Sequence, residues 1–256
     1  SCPPGQSTKT IPWNWIKGNI ILEDGTSTSW NRVGAAAESG AVGSVGGAQH
    51  LVVRSNTIEG FFNGIGAYNA GFDRFATKDQ DIYDNRLSEL SDDAFEPEQV
   101  GINWRIWNNR IENAAVFLST GPLAYGPVYV FRNQGWKSGS GEGVGKDTTG
   151  GAAAGGVCFK YSGNSLPTAR VYLINNTFWG CNDGSGQYAG GGSNTEAFYL
   201  RNNLFAASRY AFQAPSGTNW NEDYNHFATS DTSRGLSYAG RNYTINVSEY
   251  RVASGQ

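Results

Sequence analysis

One pattern recurs along this chain: apolar, any, apolar, any, any, Asn, any, apolar. It reads LVVRSNTI around Asn56, QDIYDNRL around Asn85, WRIWNNRI around Asn109, VYVFRNQG around Asn133, VYLINNTF around Asn176 and FYLRNNLF around Asn203. Three residues before each Asn stand Val53, Ile82, Ile106, Val130, Leu173 and Leu200; two after stand Ile58, Leu87, Ile111, Gly135, Phe178 and Phe205. Only Gln80, five before Asn85, and Gly135 break the apolar rule. Apolar residues at period two mark a strand with one buried face, and the Asn marks a turn where a side-chain amide can bond backbone groups. The intervals of 29, 24, 24, 43 and 27 residues describe a unit of about 24 with insertions. A strand and turn unit of that length cannot bury its own inner face, whereas stacked units share one core, so the chain is a solenoid.

A sandwich or barrel of short strands is the competing fold. It calls for hairpins with Asn-Gly or Asp-Gly turns, and only FFNGIGAY and LEDGTS offer them.

Composition agrees with the repeat. The 256 residues hold 35 Gly, 8 Trp, 13 Tyr and 13 Phe, a mix suited to strands and turns, and 39% hydrophobic content is enough for one core. One domain, 1–256, is expected, with a Gly-rich inserted loop at 134–156 containing KSGSGEGVGKDTTGGAAAGG. A net charge of −3 without a basic run argues against nucleic acid and anionic membrane as partners, and no apolar run reaches membrane-span length. The chain has no Met and opens SCPPGQSTKT, which reads as a processed end of a longer parent.

With this repeat, strongest over residues 50–212, the chain resembles the right-handed parallel β-helix superfamily of pectate-lyase-like proteins, whose coils stack an Asn ladder at one turn. Weaker copies at WIKGNIIL around Asn19 and NEDYNHF around Asn225 bring the expected count to about eight coils. The resemblance implies an exported protein acting on or binding polysaccharide. In such coils a second and a third strand follow the Asn, and the third commonly carries the chemistry.

The densest charge falls there. SDDAFEPEQ, residues 91–99, contains Asp92, Asp93, Glu96 and Glu98 in a chain only 16% charged. Aligning Phe95 with Ile65 and Val116 as inward residues points Glu96 and Glu98 outward, between Gly66 and Tyr68 on one side and Phe117 and Ser119 on the other. Outward residues at i and i+2 have Cβ atoms about 6–7 Å apart, which overlaps the separation of the acid and base in inverting glycosidases. The same oxygens suit Ca²⁺. Four acids this close raise one another's pKa unless a cation intervenes; the plain alternative is a solvated acidic turn bridged to Arg105 or Arg110.

Lys160, in VCFKYSG, holds the third-strand position about two coils beyond Glu96 and is the candidate base for a lyase; a solvated strand lysine is the plain alternative. The outward positions of the first strand carry Tyr83, Trp107 and Phe131, and Arg105, Tyr129, Tyr172 and Tyr199. Such a stripe serves either sugar stacking, with Tyr68, Tyr83, Arg105 and Trp107 as substrate contacts, or packing beneath the Gly-rich loop. His50 and His226, the only histidines, support neither a zinc site nor a Ser-His-Asp triad. Cys158 and Cys181, about one coil apart, can pair across adjacent turns in an exported chain, with Cys2 left over.

Asp92-Asp93 is similar to the Asp pair of polygalacturonase-like glycosidases, whose Gly-His-Gly and Arg-x-Lys motifs are absent here, as is the epimerase Asp-Pro-His. Two expectations result. One is an extracellular polysaccharide-cleaving enzyme, a glycosidase ahead of a Ca²⁺-dependent lyase, using Asp92, Asp93, Glu96 and Glu98. The other is a non-catalytic glycan-binding, adhesive or structural module.

Overall fold

The structure, a computed structural model, describes residues 14–17, 20–22, 40–43, 49–61, 63–66, 77–98, 101–121, 123, 125–136, 156–161, 169–187, 197–214, 219–231, 235–238 and 241–243. Every regular element among them is a strand, and the chain is a parallel β-solenoid. One sheet has eight parallel strands, from Asn14–Lys17 through Leu51–Arg54, Thr77–Tyr83, Gly101–Trp107, Val128–Phe131, Arg170–Ile174 and Ala197–Arg201 to Asn219–Asp223. A second, eleven-stranded sheet contains the long strands Arg86–Glu96, Arg110–Thr120 and Thr177–Gln187. These long strands bend, with register shifts between Ala114 and Val116 and around Cys181, and so supply two faces of the solenoid.

The repeated Asn explains why the turns stack. Asn56 Nδ2 donates to Asn85 Oδ1 at 3.0 Å, Asn85 to Asn109 at 3.0 Å, Asn109 to Asn133 at 2.9 Å, Asn133 to Asn176 at 3.1 Å, Asn176 to Asn203 at 2.9 Å and Asn203 to Asn225 at 2.9 Å. The same Oδ1 atoms accept the preceding Asn backbone N–H, and from Asn85 onward Nδ2 also donates to a backbone carbonyl, as Asn109 does to Ile82. Each inner amide is thus fully used, which makes its burial tolerable.

The corners follow from backbone rules. The residue before each ladder Asn has positive φ: Ser55, Asp84, Asn108, Arg132, Asn175, Asn202 and Tyr224. A second set lies four residues after the Asn, at Gly60, Glu89, Asn113 and Gly180, and a third six before it, at His50, Asp79 and Asn103. Gly, Asn and Asp dominate these sets because they enter the left-handed region most readily. Polar side chains at these corners also stack: Asn103 donates to Asp79 at 2.8 Å, Asn108 to Asp84 at 2.5 Å and Asn113 to Glu89 at 2.7 Å.

Inside, the apolar rows meet as expected. Val53, Ile82, Ile106, Val130, Leu173 and Leu200 form one buried column, and Ile58, Leu87, Ile111, Phe178 and Phe205 another, each side chain contributing about 1.5–3 kcal/mol. Gly135 breaks the pattern because Phe117 occupies its space: a Cβ there would stand 2.6 Å from the ring. Cys158 and Cys181 form a buried disulfide across adjacent turns, with Cα atoms 5.7 Å apart.

The stack amounts to about five full turns, fewer than the eight expected, although the first sheet is eight strands deep. The weak copy around Asn19 stacks as expected, Asn14–Lys17 on Leu51–Arg54 and Ile20–Leu22 on Thr57–Glu59, with Asn19 itself outside the described residues, and the turn after Asn225 leads into an antiparallel pair, Leu236–Tyr238 with Arg241–Tyr243. Glu222 is paired in register with Leu200, so the column of Ile and Leu ends in a carboxylate, a charge that opposes further stacking. The Gly-rich insertion begins later than 134, since Gln134–Trp136 is a strand of the second sheet; residues 137–155 lie outside the described residues. FFNGIGAY is no hairpin, since Asn63–Gly66 is a strand paired in parallel with its neighbours.

Candidate functional site

The third face is built from rows running along the stack. One outward row is Gly66, Glu96, Ser119, Lys160 and Gly186, with Glu96 beside Gly66 and Lys160 between Ser119 and Gly186 in register. A second contains Asp93, Val116, Val157 and Asp183. Between these rows two successive residues of each strand turn inward: Ala94 and Phe95, Phe117 and Leu118, Cys158 and Phe159. That doubled inward step breaks strict alternation and brings Asp93 and Glu96 onto the same outer side.

The alignment from sequence is corrected here by two residues. Phe95 lies beside Leu118, not Val116, which instead lies beside Asp93. The neighbour of Glu96 in the next turn is therefore Ser119 rather than Phe117. The partner Ile65 and the placement of Lys160 two turns beyond Glu96 are as expected.

Lys160 reaches back across the intervening turn. Its Nζ donates to Asp93 Oδ2 at 2.7 Å and lies 3.8 Å from Glu98 Oε1. Asp93 is nearly sealed, its side chain 1% exposed, while Lys160 and Glu98 retain 16% and 17%. Asn63 holds the first turn of the site, donating Nδ2 to Glu96 Oε2 at 3.0 Å and accepting the Asp93 N–H at 3.0 Å. Glu98 accepts a short hydrogen bond from Ser119 Oγ and one from Gly121 N at 3.3 Å. One oxygen each from Asp93, Glu96 and Glu98 falls within 4.8 Å of the other two, so these side chains converge more than the spacing of their Cβ atoms implies.

One ammonium cannot neutralise this many carboxylates. Burial, followed by Asp93 and Glu98, pushes the Glu96 carboxyl well above its usual range. Burial raises Glu98 to about 7, opposed by Lys160 and the Ser119 hydrogen bond. Lys160 moves up, well beyond an ordinary lysine: desolvation acts to lower it, and the carboxylates of Asp93, Asp92 and Glu98 overcome that effect. The cluster thus combines a firmly charged ammonium, a carboxyl whose pKa is raised well above the ordinary range and a carboxyl that titrates near 7.

The other sequence candidates lie elsewhere. Tyr83, Arg105 and Trp107 belong to the eight-stranded sheet, and Tyr68 lies outside the described residues. Arg105 pairs with Asp81 at 2.5 Å. Tyr83 stacks on Trp107 at 4.3 Å and Trp107 on Phe131 at 5.6 Å, while Tyr129, Tyr172 and Tyr199 stack at 5.0 and 4.8 Å. The rings occupy one another's faces along the stack, which leaves the edges for anything approaching from outside.

Sequence reasoning misses Asn63 and Gly121, and gives Ser119 only as a neighbour of the outward acids. Asn63 lies in the strand that sequence aligns through Ile65, and an offset comparison of Asn63 with Asp93 in successive turns finds its contact. Among the described residues, Asp93, Glu96 and Glu98 form the group with metal-ligand spacing, and the Lys160 ammonium already lies against two of them. No family model, curated protein or solved structure matches this chain.

Proposed function

We propose that this chain hydrolyses a glycosidic bond in a polysaccharide, with Glu96 as proton donor and Glu98 as the partner carboxylate. The observation that carries this reading is the convergence of carboxyl oxygens within 4.8 Å around Lys160, one belonging to a carboxyl raised well above its ordinary range and another to a carboxyl titrating near 7. Two carboxyl groups with separated pKa values divide the acid and base roles. Their closeness favours the retaining arrangement, at about 5–5.5 Å, over the inverting one expected from Cβ spacing. Asp93 is too buried to touch substrate and acts as a positioning residue through Lys160.

The lyase reading is weaker. A base abstracting a sugar proton must be neutral, and Lys160 is held as an ammonium. The parallel solenoid with its Asn ladder supports the right-handed pectate-lyase-like assignment, and the Cys158–Cys181 disulfide supports export to an oxidising compartment.

The test is a screen of neutral and uronic polysaccharides, with and without Ca²⁺, following reducing ends and ultraviolet absorbance together. New reducing ends without absorbance are expected, reduced about 10²- to 10⁴-fold by Glu96→Gln. Ca²⁺-dependent absorbance contradicts this reading in favour of a lyase. Glycan binding without turnover in any assay leaves a non-catalytic module instead.

A further inference from the structure

Trp179 lies round the Gly180 corner from the acidic face and is 40% exposed, with Tyr224 one of two exposed large hydrophobic side chains among the described residues. It stacks on Trp136 with ring centroids 5.6 Å apart and planes 16° from parallel. The next position in that outward row is Ala206, and the one after it Ala228.

Other aromatic rows end differently. Arg54 places its guanidinium 6.0 Å from the Tyr83 ring centroid, Phe131 is followed by Ile174, and Tyr199 by Asn221. Only the Trp136–Trp179 row, among those described, runs into two successive alanines. At about 4.8 Å per turn, the missing side chains leave room for a ring lying against the outer face of Trp179.

We propose that this step binds one pyranose ring of a neutral glycan, its C–H face on the Trp179 indole as the next member of the stack. An apolar ring face with polar groups around its edge matches the surroundings. Ser208 and His226 are exposed beside the alanines, and Ser208 Oγ donates to Asn182 Oδ1 at 2.9 Å. The strand neighbours Thr177 and Leu204 carry no charge to select a uronate. A protein partner fits less well, since a specific interface buries about 1,200 Å² or more, and one indole above two methyl groups offers a single contact. The site does not depend on the carboxyl pair being catalytic.

Isothermal titration of the full chain with β-1,4-linked gluco-, manno- and xylohexaose, and with a uronic hexamer for comparison, tests it. At least one neutral hexaose is expected to bind, and both Trp179→Ala and Ala206→Trp to weaken it about tenfold or more. Ala206→Trp fills the space while keeping Trp179, so its loss of binding with an unchanged melting temperature excludes misfolding as the cause. Tyr224→Ala, which removes the other exposed large hydrophobic side chain among the described residues, is expected to leave the affinity unchanged. The proposal is overturned if no neutral hexaose binds, if the uronic hexamer binds better, or if binding is indifferent to Trp179→Ala.

Discussion

Two polar columns run through this solenoid, and they behave oppositely. From Asn56 to Asn225 every turn contributes the same neutral amide, which gives hydrogens to one neighbour and receives them from the other. On the third face, successive turns contribute Asn63, then Asp93, Glu96 and Glu98, then Ser119, then Lys160. The amide column closes its hydrogen bonds by repetition. The acidic one has like charges at close range, with protons and one ammonium making up the difference. Stacking turns is therefore stabilising or costly according to whether the repeated group can both donate and accept.

The comparison breaks most directly at Asn109. Asn109→Leu removes the acceptor for the N–H and Nδ2 of Asn85 and the donor to Asn133 and Ile82. The expected loss is about 3–6 kcal/mol from several orphaned buried groups, read as a lower urea midpoint. In the acidic column Lys160→Met leaves Asp93 buried without its cation, an expected loss of about 3–5 kcal/mol. Adding Asp93→Asn to it is expected to recover part of that loss, again by urea unfolding.

The pH dependence sharpens the contrast. Glu98 has a folded pKa raised to about 7 from a reference of 4.5, so the folded state holds more protons between those values. Its contribution is fully present below about pH 4.5 and is lost as pH rises through 7, by roughly 2–3 kcal/mol. Glu96 acts in the same direction. Glu98→Gln is expected to flatten this slope in melting curves from pH 4 to 8, whereas an unchanged slope would place the effect elsewhere. The smallest effect is at the corner: Asn108→Ala loses about 1 kcal/mol because its φ is 54° and its amide bonds Asp84, while Asn108→Gly stays closer to the parent.

Much of this was legible because one rule repeats. The ladder positions, the inward columns, the pairing of Cys158 with Cys181 and the placement of Lys160 two turns beyond Glu96 all follow from counting turns. What failed was counting across the bend, where Ala94 and Phe95, then Phe117 and Leu118, face inward in succession and defeat period-two reading. Asn63 was hidden because aligning its strand through the inward Ile65 does not reveal which acids the amide two residues earlier reaches. The outward aromatics were found, but whether rings present faces or edges depends on stacking between turns that composition does not reveal.

The most direct test is carboxyl-carbon NMR of the chain labelled in glutamate, with Glu96→Gln and Glu98→Gln used for assignment. Glu96 is expected to titrate well above the ordinary carboxylate range and Glu98 near 7. If both instead ionise in the ordinary carboxylate range, the third face does not hold a proton for transfer, and the hydrolytic account fails with it.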